Sequence, residues 1–166
     1  MDGSRSAAYA GGVTRLLSVS LDAHALDGRP APQVADLRAA VSELSSDAHF
    51  APALPHSGPY RLAISCPDGR LALEVFDPGG RALRTYILSL TGLRRHVREY
   101  LAMLDAYEHA RAQAGPHGLE TVDMARRGVH NAGAAELGRR LEGKVDVDEE
   151  TARRLFTLIA VLGCRG

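Results

Sequence analysis

Asp123, Arg127 and His130 are the residues of this chain best spaced to do chemistry together. On a helix they stand at i, i+4 and i+7, so a carboxylate, a guanidinium and an imidazole share one face. Arg126 is adjacent and can reach in beside them. Such a set could bind a phosphate or a carboxylate, with Arg127 as a fork-shaped donor, His130 as donor or general acid, and Asp123 orienting either. The same spacing also suits a purely structural use. Asp123 and Arg127 would then be an ordinary surface pair, with His130 near a helix C-terminus and Asn131 as its cap. Neither use dictates a reaction.

The other chemistry-bearing residues are more scattered. Arg94, Arg95 and Arg98 open a helix, where cations oppose the macrodipole and could hold an anion or simply face solvent. His96 lies at the edge of an apolar stripe with Glu99 at i+3. Without a second His or Cys at ligand spacing, it reads as a hydrogen-bonded core histidine rather than a metal ligand. Cys66 ends a strand with no neighbouring basic group to lower its pKa, which argues against a nucleophile. HExxH, GxSxG, GxGxxG and GxxxxGK[ST] patterns are all absent, so metalloprotease, hydrolase and nucleotide-binding templates lack their anchors. We therefore expect no metal and no cofactor.

Composition sets the frame around these residues. Lys+Arg and Asp+Glu balance at 20 each, which removes the broad positive field of a non-specific nucleic-acid binder and makes a nucleic-acid partner unexpected. Lys144 is the single lysine, so paired arginines carry less meaning here than in a chain of mixed cations. No run approaches the ~18 apolar residues of a membrane span, and the N-terminus lacks the apolar core of a signal peptide. A cytoplasmic location follows as the expectation. The two cysteines, Cys66 and Cys164, form no CxxC pair, and in a reducing compartment both would be free thiols.

Hydrophobic periodicity then places the elements. Residues 1–12 read as a flexible leader and 13–166 as a single domain. A short strand near 16–21 and a helix over 33–47 come first. Alternation in 60–66, 71–75 and 82–90, punctuated by Pro67-Asp68-Gly69 and Asp77-Pro78-Gly79-Gly80, predicts a three-strand antiparallel meander. A helix over 92–114 stops at Gly115-Pro116, and two shorter helices over 120–130 and 132–142 follow, divided by Asn131 and Gly133. Asp148 caps a last helix whose stretch from Leu155 to Leu162 is apolar nearly all round, marking it as either the core helix or an interface. The fold class is α+β: a small antiparallel sheet, the meander plus an N-terminal strand, with about five helices mostly in the C-terminal half.

Taken together, several stretches of the chain are similar to one known family. They are Met124-Ala125-Arg126-Arg127-Gly128, His130-Asn131, Arg140-Leu141-Glu142-Gly143-Lys144-Val145 and Thr151-Ala152-Arg153-Arg154-Leu155-Phe156-Thr157-Leu158. From about Thr14 onward the chain resembles the uncharacterised protein family UPF0262, small soluble alphaproteobacterial proteins with no assigned activity. The resemblance implies a bacterial protein and transfers no catalytic residue. The sequence departs from the family pattern at Ala160 and Gly163, where Cys and His are common.

Two functional expectations follow. The first is a cytoplasmic, non-enzymatic interaction or regulatory module that contacts a protein partner or a second copy through its C-terminal helix. The alternative is an enzyme or sensor that binds a small phosphate or carboxylate ligand through Asp123, Arg126, Arg127 and His130. A broad exposed apolar strip on the last helix would favour the first, and a polar cleft meeting His130 the second.

Overall fold

The computed structural model describes residues 14–113 and 115–163, so the leader and Cys164 lie outside the described residues. The fold is α+β. A four-stranded sheet in the order β1-β3-β4-β5 is built from β1 (Leu16–Leu21), β3 (Tyr60–Ser65), β4 (Leu71–Phe76) and β5 (Ala82–Leu88). The predicted meander is present, with β3–β4 and β4–β5 antiparallel. Its first turn places Asp68 (φ 53°) and Gly69 (φ 74°) in the left-handed region, and Arg70 N donates to Pro67 O at 3.0 Å. Two consecutive positive φ values match the twist of the flanking strands, which is why Asp-Gly suits this hairpin.

The N-terminal strand departs from the antiparallel expectation. It pairs parallel to β3, Val19 opposite Leu62 and Leu21 opposite Ile64, which makes the sheet mixed. Parallel pairing needs a long crossover, and the chain supplies one through α1 (Ala31–Ser46) and β2 (Phe50–Pro52) before β3. β2 in turn pairs antiparallel with β6 (Val145–Val147) in a separate two-stranded sheet. Three-residue strands, one containing Pro52, carry no alternation strong enough to be read from sequence.

Among the described residues there are four α-helices: α1, α2 (Arg94–Gln113), α3 (Pro116–Leu141) and α4 (Glu149–Leu162). Gly115-Pro116 does separate α2 from α3, with Pro116 at the start of the helix where its missing N–H costs nothing. The predicted division at Asn131 and Gly133 is absent, and α3 runs through both. Gly133 is there for packing. A Cβ on it would sit 2.3 Å from Cζ of Phe156 on α4, so the glycine marks a close helix–helix approach rather than a break.

α4 is the central core helix. Asp148 accepts from Thr151 N at 2.8 Å, as its capping position requires, and Glu149 and Glu150 occupy the first turn. From Leu155 to Val161 every residue is buried within the chain itself. Leu155 and Ile159 line one small interior void with Leu137 and Leu141 of α3 and Ile64, Leu71 and Leu73 of the sheet, so α3 and α4 pack against one face of the strands. At its C-terminus Gly163 takes φ 65°, and Arg29 Nη2 donates to Leu162 O at 2.7 Å. A Cβ on Gly163 would lie 2.4 Å from that guanidinium nitrogen and displace it, while the left-handed backbone holds the residue to glycine.

One further expectation is corrected. Cys66 is disulfide-bonded rather than a free thiol.

Candidate functional site

Because α3 continues unbroken, Asp123, Arg126, Arg127, His130 and Asn131 stand on successive turns of one rigid helix. With Arg153 of α4 they line a surface pocket of ≈ 440 Å³. All four residues singled out by spacing therefore meet at one place. Asp123 and Arg127 form the i, i+4 pair at 3.0 Å, with the Arg127 side chain 76% exposed. An exposed pair of that kind contributes little to stability, so Arg127 can change partner at low cost.

Arg126 points inward to a different set of residues. Its Nη2 donates to both carboxylate oxygens of Asp36 on α1, at 3.2 and 3.3 Å, and its guanidinium lies 5.2 Å from the ring centroid of Tyr107 on α2. The Tyr100 hydroxyl of α2 donates to the same Asp36 carboxylate. Burial, reinforced by that hydrogen bond, holds the Tyr100 hydroxyl above the usual tyrosine range, so it stays protonated and donating. Asp36 thus ties together α1, α2 and α3 through Arg126 and Tyr100.

His130 is positioned just as closely. Its Nε2 lies 3.1 Å from Arg153 O and 2.7 Å from Thr157 Oγ1, while Thr157 Oγ1 donates to the same carbonyl at 3.2 Å. The imidazole packs against the rings of Tyr100 and Phe156, with centroids 5.1 and 6.1 Å away. Burial pushes its pKa below the usual histidine value, opposed by the Arg153 carbonyl and assisted by the Arg153 and Arg126 charges. His130 is therefore neutral near pH 7, where it accepts a proton or hydrogen bond more readily than it supplies charge. The expectation of a protonated donor or general acid gives way to that of an acceptor. Asn131 is not a cap: its Oδ1 accepts from Arg153 Nε at 3.1 Å, and Arg153 Nη1 pairs with Glu150 at 2.6 Å.

Three arginines and the one carboxylate residue Asp123 thus line the pocket, while Asp36 and Glu150 outside the lining pair with Arg126 and Arg153. The guanidinium groups suit a small anion. Asp36, Tyr100, Thr157 and Arg153 were missed from sequence. The Asp36 partner of Arg126 is 90 positions away along the chain, a separation that no local spacing reveals. Arg153 and Thr157 had a signal, as part of the family-like stretch Thr151-Ala152-Arg153-Arg154-Leu155-Phe156-Thr157-Leu158.

The remaining candidates stay apart from this pocket. Arg94, Arg95 and Arg98 are exposed at the start of α2, and Arg95 pairs with Glu99 at 2.8 Å. His96 Nδ1 is buried without a hydrogen-bond partner, contrary to the expectation of a satisfied core histidine.

Comparison with known proteins places this chain among close relatives. The family model described as Uncharacterised protein family (UPF0262) matches residues 13–165. A UPF0262 protein of Erythrobacter litoralis is 46% identical over 156 residues, covering 92% of this chain and 98% of the relative. One from Novosphingobium aromaticivorans is 46% identical over 163 residues, covering 93% and 99%. A third, from Brucella canis, is 45% identical over 154 residues, covering 92% and 95%. No solved structure matches the chain.

Proposed function

The chain belongs to the uncharacterised protein family UPF0262, and on that premise we propose that it binds a small anion, a phosphate or carboxylate, in the pocket between α3 and α4. The observation that carries the proposal is the convergence of Arg126, Arg127 and Arg153 on one pocket whose lining includes a single carboxylate. Guanidinium groups donate in a planar fork that matches phosphate and carboxylate oxygens. Arg126 is pre-oriented by Asp36 and by the Tyr107 ring, so little rotamer freedom remains to be lost on binding. The rival reading, an interaction module using the last helix, drew on the apolar character of that helix and on the absence of a catalytic motif. The apolar residues of α4 are covered by the chain's own core. Cytoplasmic location is part of the proposal; a disulfide at Cys66 is unusual in a reducing compartment, so cell fractionation is its direct test.

Calorimetric titration at low salt with inorganic phosphate and with acetate tests the reading. The wild type should bind at least one of them saturably, and binding should weaken as salt is raised. A charge-assisted hydrogen bond contributes about 1.5–3 kcal/mol when shielded. Arg127 is mostly exposed, so Arg127→Ala should cost about tenfold in affinity, the lower end of that range. Its thermal midpoint should be unchanged, because an exposed surface pair contributes almost nothing to stability. No saturable binding by the wild type, or equal affinity in Arg127→Ala, would refute the proposal.

A further inference from the structure

Resting on the anion-pocket reading, we infer that the preferred ligand carries a hydroxyl beside its anionic group, as in a hydroxycarboxylate or a phosphorylated alcohol. The hydroxyl donates to Nδ1 of His130 while the guanidinium groups hold the anionic end.

The tautomer of His130 carries the inference. Nε2 faces the Arg153 carbonyl at 3.1 Å, and a carbonyl oxygen only accepts. Thr157 directs its own hydroxyl proton to that carbonyl, which leaves its oxygen to accept from Nε2 at 2.7 Å. Nε2 therefore holds the imidazole proton. In the neutral ring Nδ1 then presents a lone pair and nothing else. Packing against Tyr100 and Phe156 opposes rotation of the ring, and rotation would also forfeit both Nε2 contacts.

No described residue donates to Nδ1. The charged and titratable groups around His130 are Arg153 from α4, Arg126 from α3, Asp36 from α1 and Tyr100 from α2. Arg126 donates to Asp36, Tyr100 donates to Asp36, and Arg153 donates to Asn131 and Glu150. Nδ1 does not appear among the buried polar atoms that lack partners, so it is open to whatever enters the pocket that His130 lines. An anion made only of acceptors would bring oxygen lone pairs against that nitrogen. A hydroxyl next to the charge turns the same contact into a hydrogen bond. A polar site group that pairs with a ligand hydroxyl discriminates against the analogue lacking it.

The test compares matched pairs on the full chain by calorimetry at pH 8: lactate against propionate, and glycerol 3-phosphate against propyl phosphate. At that pH a phosphate monoester, whose second pKa is about 6, carries no hydroxyl of its own. The hydroxylated member should bind about three- to tenfold more tightly, the range of one neutral hydrogen bond. The pair showing the preference identifies the anionic group. For the carboxylate pair the preference should hold as pH falls from 8 to about 6.5, the ordinary histidine value. It should disappear only below that value, as Nδ1 takes a proton at the lowered pKa of His130. The ¹⁵N resonance of Nδ1 should move on adding the hydroxylated ligand and stay put with its analogue. His130→Phe keeps a ring between Tyr100 and Phe156 and should bind both members alike; the wild-type resonance decides the matter if that variant does not fold. Equal affinities within each pair and an unmoved resonance would overturn this inference while leaving the anion site intact. No saturable binding by any of the four ligands would overturn the anion reading itself.

Discussion

Phe156→Ala should lower the free energy of unfolding by about 3–5 kcal/mol, the cost of truncating a buried phenylalanine. Phe156 has no solvent exposure, sits edge-on to Tyr100 at 5.7 Å, and fills the space left by Gly133. Removing its ring opens a cavity where α2, α3 and α4 meet, and the neighbouring rings of Tyr100 and His130 are held by their own hydrogen bonds and cannot collapse into it freely. A whole domain of this size is stable by only about 5–15 kcal/mol. The loss should appear as a drop of about 10 °C in the thermal midpoint followed by circular dichroism. A loss below about 1 kcal/mol, typical of a surface site, would mean that α4 is not packed as described.

The second large effect comes from two glycines on the same helix with opposite expected signs. Glycine inside a helix costs about 1 kcal/mol relative to alanine, so a mid-helix glycine needs a reason. At Gly133 the reason is the Phe156 ring, three of whose atoms lie 2.3, 2.5 and 2.6 Å from where a Cβ would stand. That ring is rigid and buried, so Gly133→Val must push α3 and α4 apart and should destabilise by about 3 kcal/mol or more. Gly128 is exposed, and nothing lies within 4 Å of its added Cβ. Gly128→Ala should therefore stabilise by about 0.5–1 kcal/mol. Urea unfolding of the two variants measures both. A neutral Gly133→Val would contradict the close approach of the helices, and a destabilising Gly128→Ala would contradict the unbroken α3.

These glycines also show where the sequence could and could not be read. Gly133 looks like punctuation because a glycine's local meaning is a break, whereas its actual role depends on a side chain over twenty positions away. The meander was legible because alternation and Asp-Gly turn chemistry are local signals, and so was the start of α4, where Asp148 precedes Glu149 and Glu150. The parallel placement of β1 and the pairing of β2 with β6 depend on how distant segments dock, and no period records that. The site divides in the same way. Asp123, Arg126, Arg127 and His130 share one helix and could be grouped by spacing. Asp36, Tyr100, Arg153 and Thr157, which orient the arginine and set the tautomer of the histidine, come from three other helices.

If Arg126, Arg127 and Arg153 together receive an anion, their own side chains should report it. The most direct measurement follows the Nε–Hε resonances of arginine side chains by NMR while phosphate or acetate is titrated into the full chain at low salt. Saturable shifts should be confined to Arg126, Arg127 and Arg153, fitting one dissociation constant, with the exposed Arg94, Arg95 and Arg98 unmoved. Small, unsaturable shifts spread over all the exposed arginines would contradict a shared anion site, because they would show counterions gathering around a charged surface instead of a ligand in a pocket.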